Sequence, residues 1–239
     1  MKKTISILMV LAVSTFIVLA AKETISVKGS AEISAKPDVA YFTITSTFTE
    51  DTTEEARNKT SDMIANCVEL LEEDFGIGKK DLETSYISAS PVYHYDDEGK
   101  QVLVGQRASQ SINVTVRSIN DIGRIYESLM AFDSITLSDV RLDKENKDGE
   151  MIEAMTKAVE NAYMKASTYA KAANVGIKKV LSIEEGYSSY TPVYGRGANM
   201  LMAAAKAEAA DSAPVEYYTG DISVSADVSI VYEIEELKD

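Results

Sequence analysis

Few residues in this chain could do chemistry, and they are scattered. The single histidine, His94, lies in Pro91-Val92-Tyr93-His94-Tyr95. It reads first as a surface histidine between tyrosines; the alternative is a general base or one ligand in an inter-subunit site, since one chain offers no second imidazole for a zinc set. The single cysteine, Cys67, permits no intramolecular disulfide and leaves only cross-linking or oxidant sensing as thiol roles. Gly186-Tyr187-Ser188-Ser189-Tyr190 begins like a nucleophile elbow but lacks the closing glycine. Gly78-Lys79 has no glycine five residues earlier and is followed by Lys80, so it is not a phosphate loop. The stretch Asp143, Asn146, Asp148-Gly149 fails as a calcium loop: with Gly149 in the sixth place, Lys144 and Met155 fall where acids are needed. Asp and Glu number 38, so a carboxylate pair for hydrolysis stays open, although no spacing singles one out.

The elements that would position these groups are legible from periodicity. Residues 25–36 alternate as a half-buried strand, and Pro37-Asp38 turns the chain into a second at about 39–49, with Ala40, Phe42, Ile44 and Phe48 on one face. A helix is predicted at about 53–75, opened by the capping-box pair Thr52 and Glu55 and closed by Gly76. Cys67 falls on its apolar stripe, where a thiol behaves as a small hydrophobe and is poorly ionised. A long hairpin follows, about 82–95 and 101–117, turning at Asp96-Asp97-Glu98-Gly99. Next come a short helix at about 120–131, a strand near 135–142 and a solvated connection over Asp143–Gly149. The third helix, about 149–173, presents Met151, Met155, Ala158, Ala162, Ala166, Tyr169 and Ala173 as its apolar face, and its alanines suit a close approach to a sheet. Strands at about 178–186 and 221–235 complete the order, and the last pairs between subunits if it lies at a sheet edge.

Composition restricts function. The N-terminus reads Met1-Lys2-Lys3, an uncharged apolar run Thr4–Ala21, then Lys22-Glu23. The run is just short of the roughly 20 residues of a membrane-spanning helix and ends in small residues, so 1–21 reads as a secretory signal peptide, with an N-terminal anchor as the alternative. Either places the remainder outside the cytoplasm. The net charge of −14 repels nucleic acid and anionic lipid, leaving membrane contact only to an uncleaved N-terminus. Residues 187–214 differ from the rest in their tyrosines, methionines and alanines. They form a candidate interaction segment, with Tyr190, Tyr194, Met200 and Met202 as its anchors, because such side chains favour interface cores. The run Ala198–Ala210 is read either as a short helix against another subunit or as a surface loop.

Several stretches are distinctive in their order and spacing. They are Ile25-Ser26-Val27-Lys28-Gly29-Ser30-Ala31 running on to Lys36-Pro37-Asp38; Asp81-Leu82-Glu83-Thr84 to Pro91-Val92-Tyr93; and Gly105-Gln106-Arg107-Ala108-Ser109 before Ile112–Arg117. The alanine-rich third helix leads into Gly176 and Val180–Gly186, and Pro214-Val215-Glu216 precedes Gly220–Ala226. Together these stretches resemble the SIMPL-domain family of exported bacterial proteins; the likeness covers about residues 24–236 and departs from the family at Tyr217-Tyr218-Thr219. It implies an α+β oligomer-former, some relatives assembling into ring- or channel-like particles, with bacterial members linked to envelope or oxidative-stress defence. It carries over no catalytic residue.

The expectation is an α+β fold: a mixed or antiparallel sheet with long hairpins packed by about three helices, with 22–239 one composite domain and 187–214 a variable segment. The expected role is that of a non-enzymatic, self-assembling envelope protein with no cofactor or metal, no nucleic-acid partner, and a homo-oligomeric state or an envelope protein or peptide as partner. The alternatives are a carboxylate-based hydrolase with an inter-subunit site, and a module binding peptides or hydrophobic ligands.

Overall fold

The computed structural model describes residues 22–195 and 220–237. Two antiparallel sheets share the chain, and the fold is α+β. Strands β1 (Thr24–Ala35), β9 (Ile222–Glu236) and β7 (Val175–Thr191) form the smaller, in the order β1-β9-β7. The larger is ordered β3-β4-β2-β6-β8, from β2 (Val39–Glu50), β3 (Leu82–Tyr95), β4 (Gln101–Val116), β6 (Val140–Asp143) and β8 (Val193–Gly195), with β5 (Ile135–Leu137) also paired to β2.

Each sheet buries one face under helix. On β2, alternation sends Ala40, Phe42 and Ile44 inward, where they meet Ile64, Cys67 and Leu71 of α1 (Thr53–Phe75) and Ile122, Ile125 and Leu129 of α2 (Ile122–Leu129). Helix α1 begins and ends where its chemistry dictates. Thr52 Oγ1 accepts the Glu55 N–H at 3.2 Å, and Gly76 takes the left-handed conformation at φ 66°, its N–H bonded to Glu72. Cys67 is fully buried, and burial pushes its thiol up to about 11, so it packs rather than reacts.

The smaller sheet carries α3 (Asp148–Ala172), whose buried stripe is Ala154, Ala158, Ala162, Ala166 and Ala170. Met155 and Tyr169, expected on that face, are exposed. The reason is proximity: β1 passes so near α3 that side chains larger than alanine are excluded along the seam, and the longer residues turn outward.

Three further departures have physical causes. The strand expected at 135–142 is split into β5 and β6, because Ser138 between them turns its hydroxyl to accept the Thr43 N–H at 2.9 Å. Strand β7 is longer than its expected 178–186, since a register shift near Gly186 lets it continue. A Cβ there would meet the Asp227 carbonyl oxygen at 2.9 Å, so only glycine fits. The last strand, β9, is central rather than at an edge. It pairs with β1 on one side and β7 on the other, which removes it as an inter-subunit strand. Among the described residues no helix is long and apolar enough to cross a membrane.

Candidate functional site

The face of the larger sheet turned away from α1 is polar. Its register sets β2 residues Thr43, Thr45, Thr47 and Thr49 opposite β4 residues Asn113, Ser111, Ser109 and Arg107. Each pair is joined side chain to side chain. Thr43 Oγ1 donates to Asn113 Oδ1 at 3.0 Å, the Thr45–Ser111 and Thr47–Ser109 hydroxyls lie 2.8 Å apart, and Arg107 Nε donates to Thr49 Oγ1 at 3.3 Å. Cross-strand pairs of this kind stabilise a sheet by roughly 0.2–1 kcal/mol each. They also make a floor of groups that both donate and accept.

At the Thr43–Asn113 end this floor lies in a cleft of about 490 Å³. One wall is Lys80–Glu83 where β3 begins, and the other is the β5–β6 turn at Ser138-Asp139, continued by Arg141. A second hollow of about 240 Å³ shares Lys80, Asp81 and Thr115 with the first and extends to Arg117, Ser118 and Asp121. Phe75, Gly76, Ile77, Val116 and Ile125, from the α1 side of the sheet, also line the second, so the groove on the polar face of β4 is the first hollow alone.

Ion pairs fix part of the lining. Arg117 holds Glu145 with two bonds, Nε to Oε2 at 2.9 Å and Nη2 to Oε1 at 2.7 Å, and also bonds Asp81. The guanidinium keeps the Glu145 carboxyl below its usual range. The Arg141 guanidinium lies 4.5 Å from the centre of the Tyr41 ring and 3.2 Å from Asp143 Oδ2. Lys80, Glu83 and Asp139 have no ion-pair partner among the described residues.

Asp143, expected on a solvated connection, is buried at 3 % exposure on β6. It accepts the Tyr190 hydroxyl, the Lys144 N–H at 2.6 Å and the Lys147 ammonium at 3.1 Å. Burial alone would raise its pKa, but the Tyr190, Lys147 and Lys144 donors outweigh it and hold the carboxyl low. The same contact, after burial, raises the Tyr190 phenol.

The sequence-predicted interaction residues divide. Tyr190 lies on β7, half-buried, with its hydroxyl on Asp143. Tyr194 lies on β8 opposite Arg141. Met200 and Met202, with the alanine run, lie outside the described residues. His94 is exposed on β3, opposite Val102. The groove residues were not singled out from sequence. The signal was present in the alternating Thr43, Thr45, Thr47, Thr49 against Ser109, Ser111, Asn113, Thr115, but it is also that of any solvated pleat.

The floor hydroxyls bond to one another, to an amide or to Arg107, not to a base that would activate them. The carboxyls clearly displaced from their ordinary values, Asp143, Glu145, Glu150 and Glu233, all move down, opposite to what a general acid needs. Among the described residues no three His, Cys, Asp or Glu side chains are grouped to hold a metal ion.

Comparison with known proteins agrees with this architecture. The chain is 29% identical over 215 residues to the 26 kDa periplasmic immunogenic protein of Brucella melitensis, covering 88% of this chain and 84% of that protein. The same protein of Brucella abortus matches equally, at 29% over 215 residues. The uncharacterized protein YggE of Escherichia coli K12 is 26% identical over 208 residues, covering 87% of this chain and 81% of its own. The family model described as "SIMPL: Protein of unknown function (DUF541)" matches residues 25–232, which span both sheets and all three helices, and the chain therefore belongs to the SIMPL family.

Proposed function

We propose that this is an exported, non-enzymatic envelope protein that works as a self-assembled particle. The observation that supports assembly is the β3–β4 hairpin. Strand β2 ends its pairing with β4 at Glu50 and Gln106, but β3 and β4 continue to the turn at residues 96–100. Beyond Gly105, where a Cβ would fall 2.7 Å from the Glu50 carbonyl oxygen, the two strands pair only with each other. Tyr93, Tyr95, Val102, Leu103 and Val104 are all exposed on this arm. A two-stranded ribbon is marginal by itself in water, and apolar groups on both its faces favour packing against a second copy.

Export is supported by the apolar run Thr4–Ala21 and by the periplasmic name of the Brucella relatives. A part in oxidative-stress defence would be indirect, since the only thiol is buried and poorly ionised. The hydrolase alternative is weakened by the downward-shifted carboxyls.

The test is the native mass of residues 22–239 by size-exclusion chromatography with light scattering. A defined oligomer is expected, and deletion of 198–210 is expected to weaken it without unfolding the subunit. A clean monomer at micromolar concentration overturns the reading.

A further inference from the structure

The groove along β4 is independent of the arm, and its lining specifies a ligand class. We propose that it binds an oligosaccharide, neutral or amino-bearing rather than acidic, laid along β4 from Ser111 to Thr115.

The argument proceeds by what the walls offer. Asp81 is neutralised by Arg117 and Arg141 by Asp143, so the charges left to a ligand are one ammonium, Lys80, and two carboxylates, Glu83 and Asp139. That balance, in a chain of net charge −14, repels phosphate, sulfate and uronate groups. An apolar ligand would strip water from these charges with nothing in return. An extended peptide binds best by adding to a strand edge. Here the floor is a sheet face, whose backbone groups already pair with neighbouring strands.

A sugar ring suits what remains. Each of its hydroxyls donates and accepts, and the groove answers both. Glu83 and Asp139 accept, Lys80 donates, and Asn113 has its carbonyl oxygen filled by Thr43 with its two amide hydrogens left for a ligand. Glu83 lies opposite Asn113 in register, so the strongest acceptor and the amide donor are adjacent. Tyr86, 55% exposed, lies opposite Ser111 on the same face, one step beyond the Asn113 rung. Its ring supplies the apolar platform on which a sugar's C–H face rests. The length also fits. Ser111 to Thr115 spans about 13 Å of strand, and the cleft, at about 490 Å³, is of the size of small-molecule sites. The groove therefore accommodates a short chain of rings rather than one.

Isothermal titration calorimetry on residues 22–239 tests this. The probes are neutral mono- to tetrasaccharides of N-acetylglucosamine, glucose and mannose, with tetragalacturonate and an uncharged tetrapeptide as contrasts. At least one neutral series should bind, tightening tenfold or more from monomer to tetramer, with tetragalacturonate at least tenfold weaker. The double variant Glu83→Ala/Asp139→Ala, whose exposed side chains carry no fold contact described above, should lose binding tenfold or more at unchanged melting temperature. Tyr86→Ala should weaken it separately. Failure of every saccharide, binding indifferent to these variants, or binding of the peptide alone overturns the proposal. None of these outcomes bears on native mass, so the groove and the assembly stand or fall apart.

Discussion

Gly29 of β1 lies directly beneath Ala158 of α3: a Cβ on Gly29 would fall 2.0 Å from the Ala158 carbonyl oxygen and 2.7 Å from the Ala162 nitrogen. Both are helix backbone atoms, so no rotamer change relieves the clash. The seam between α3 and the smaller sheet is thus set by absent side chains, glycine on the strand and an alanine every fourth residue on the helix. Gly29→Ala should destabilise by about 3 kcal/mol or more, the upper range for overpacked cores. The check is the urea midpoint at unchanged slope. Gly149→Ala, where a Cβ meets nothing within 4 Å, is the control and should be neutral or slightly stabilising. A loss under about 1 kcal/mol at Gly29 would show that the helix can move away.

The contact of Tyr190 with Asp143 ties the end of β7 to β6, and so one sheet to the other. Tyr190→Phe removes a donor from a buried carboxylate and should cost about 1.5–3 kcal/mol, the range for bonds to charged groups. Asp143→Ala should cost more, because Lys147 at 3.1 Å and Arg141 at 3.2 Å lose their counter-charge together. Hydrogen exchange should quicken around residues 187–191 in both variants. Unchanged exchange there would mean that the phenol does not secure the strand. Its hydroxyl is on Asp143 and the centre of its ring lies 4.0 Å from the Lys147 ammonium, so Tyr190 is engaged inside the chain on both counts.

What was legible from sequence is local, and what was missed depends on distant partners. The Thr52–Glu55 cap, the Gly76 terminus and the long hairpin all rest on residues a few positions apart. Asp143 read as solvated because its neighbours are charged, whereas its burial comes from Tyr190, 47 residues on. The central place of β9 is equally invisible, since alternation is the same for an edge strand and an inner strand covered on one face. The groove escaped for the same reason: each of its polar residues is ordinary until the register of β2, β3 and β4 brings them side by side.

Glu233 predicts a pH dependence. Its carboxylate receives Lys178 at 2.9 Å and Lys22 at 3.2 Å, and these ammonium groups lower it from 4.5 to about 2. A depressed carboxyl stabilises the fold above its unfolded pKa and loses that contribution as pH falls through the folded value. The contribution is therefore complete above about pH 5 and disappears between about 4.5 and about 2. Asp143, also held low, adds in the same direction. Melting temperature should fall over that window, and Glu233→Gln should flatten part of the fall while lowering stability at neutral pH. Parallel curves for the two proteins would exclude Glu233 as a contributor.

The arm predicts an asymmetry that native mass can read. Tyr93 pairs with Leu103 and Tyr95 with Gln101, so the two tyrosines and Leu103 share one face. Val102, opposite His94, occupies the other, while Val104 falls at a register shift between Val92 and Tyr93 that interrupts the alternation. If the arm is sandwiched between copies, both faces matter, and the aromatic one should matter more, because tyrosine brings the larger area and dominates interface energetics. Tyr93→Ser/Leu103→Ser should shift the native mass toward monomer at protein concentrations where Val102→Ser leaves a mixture. Neither variant touches either buried core, so melting of the dissociated subunit should be little changed. Equal, intact oligomers from both variants would move the interface off the arm, and the exposed β7 side chains Val180, Ile183 and Tyr187 would be the next surface to substitute.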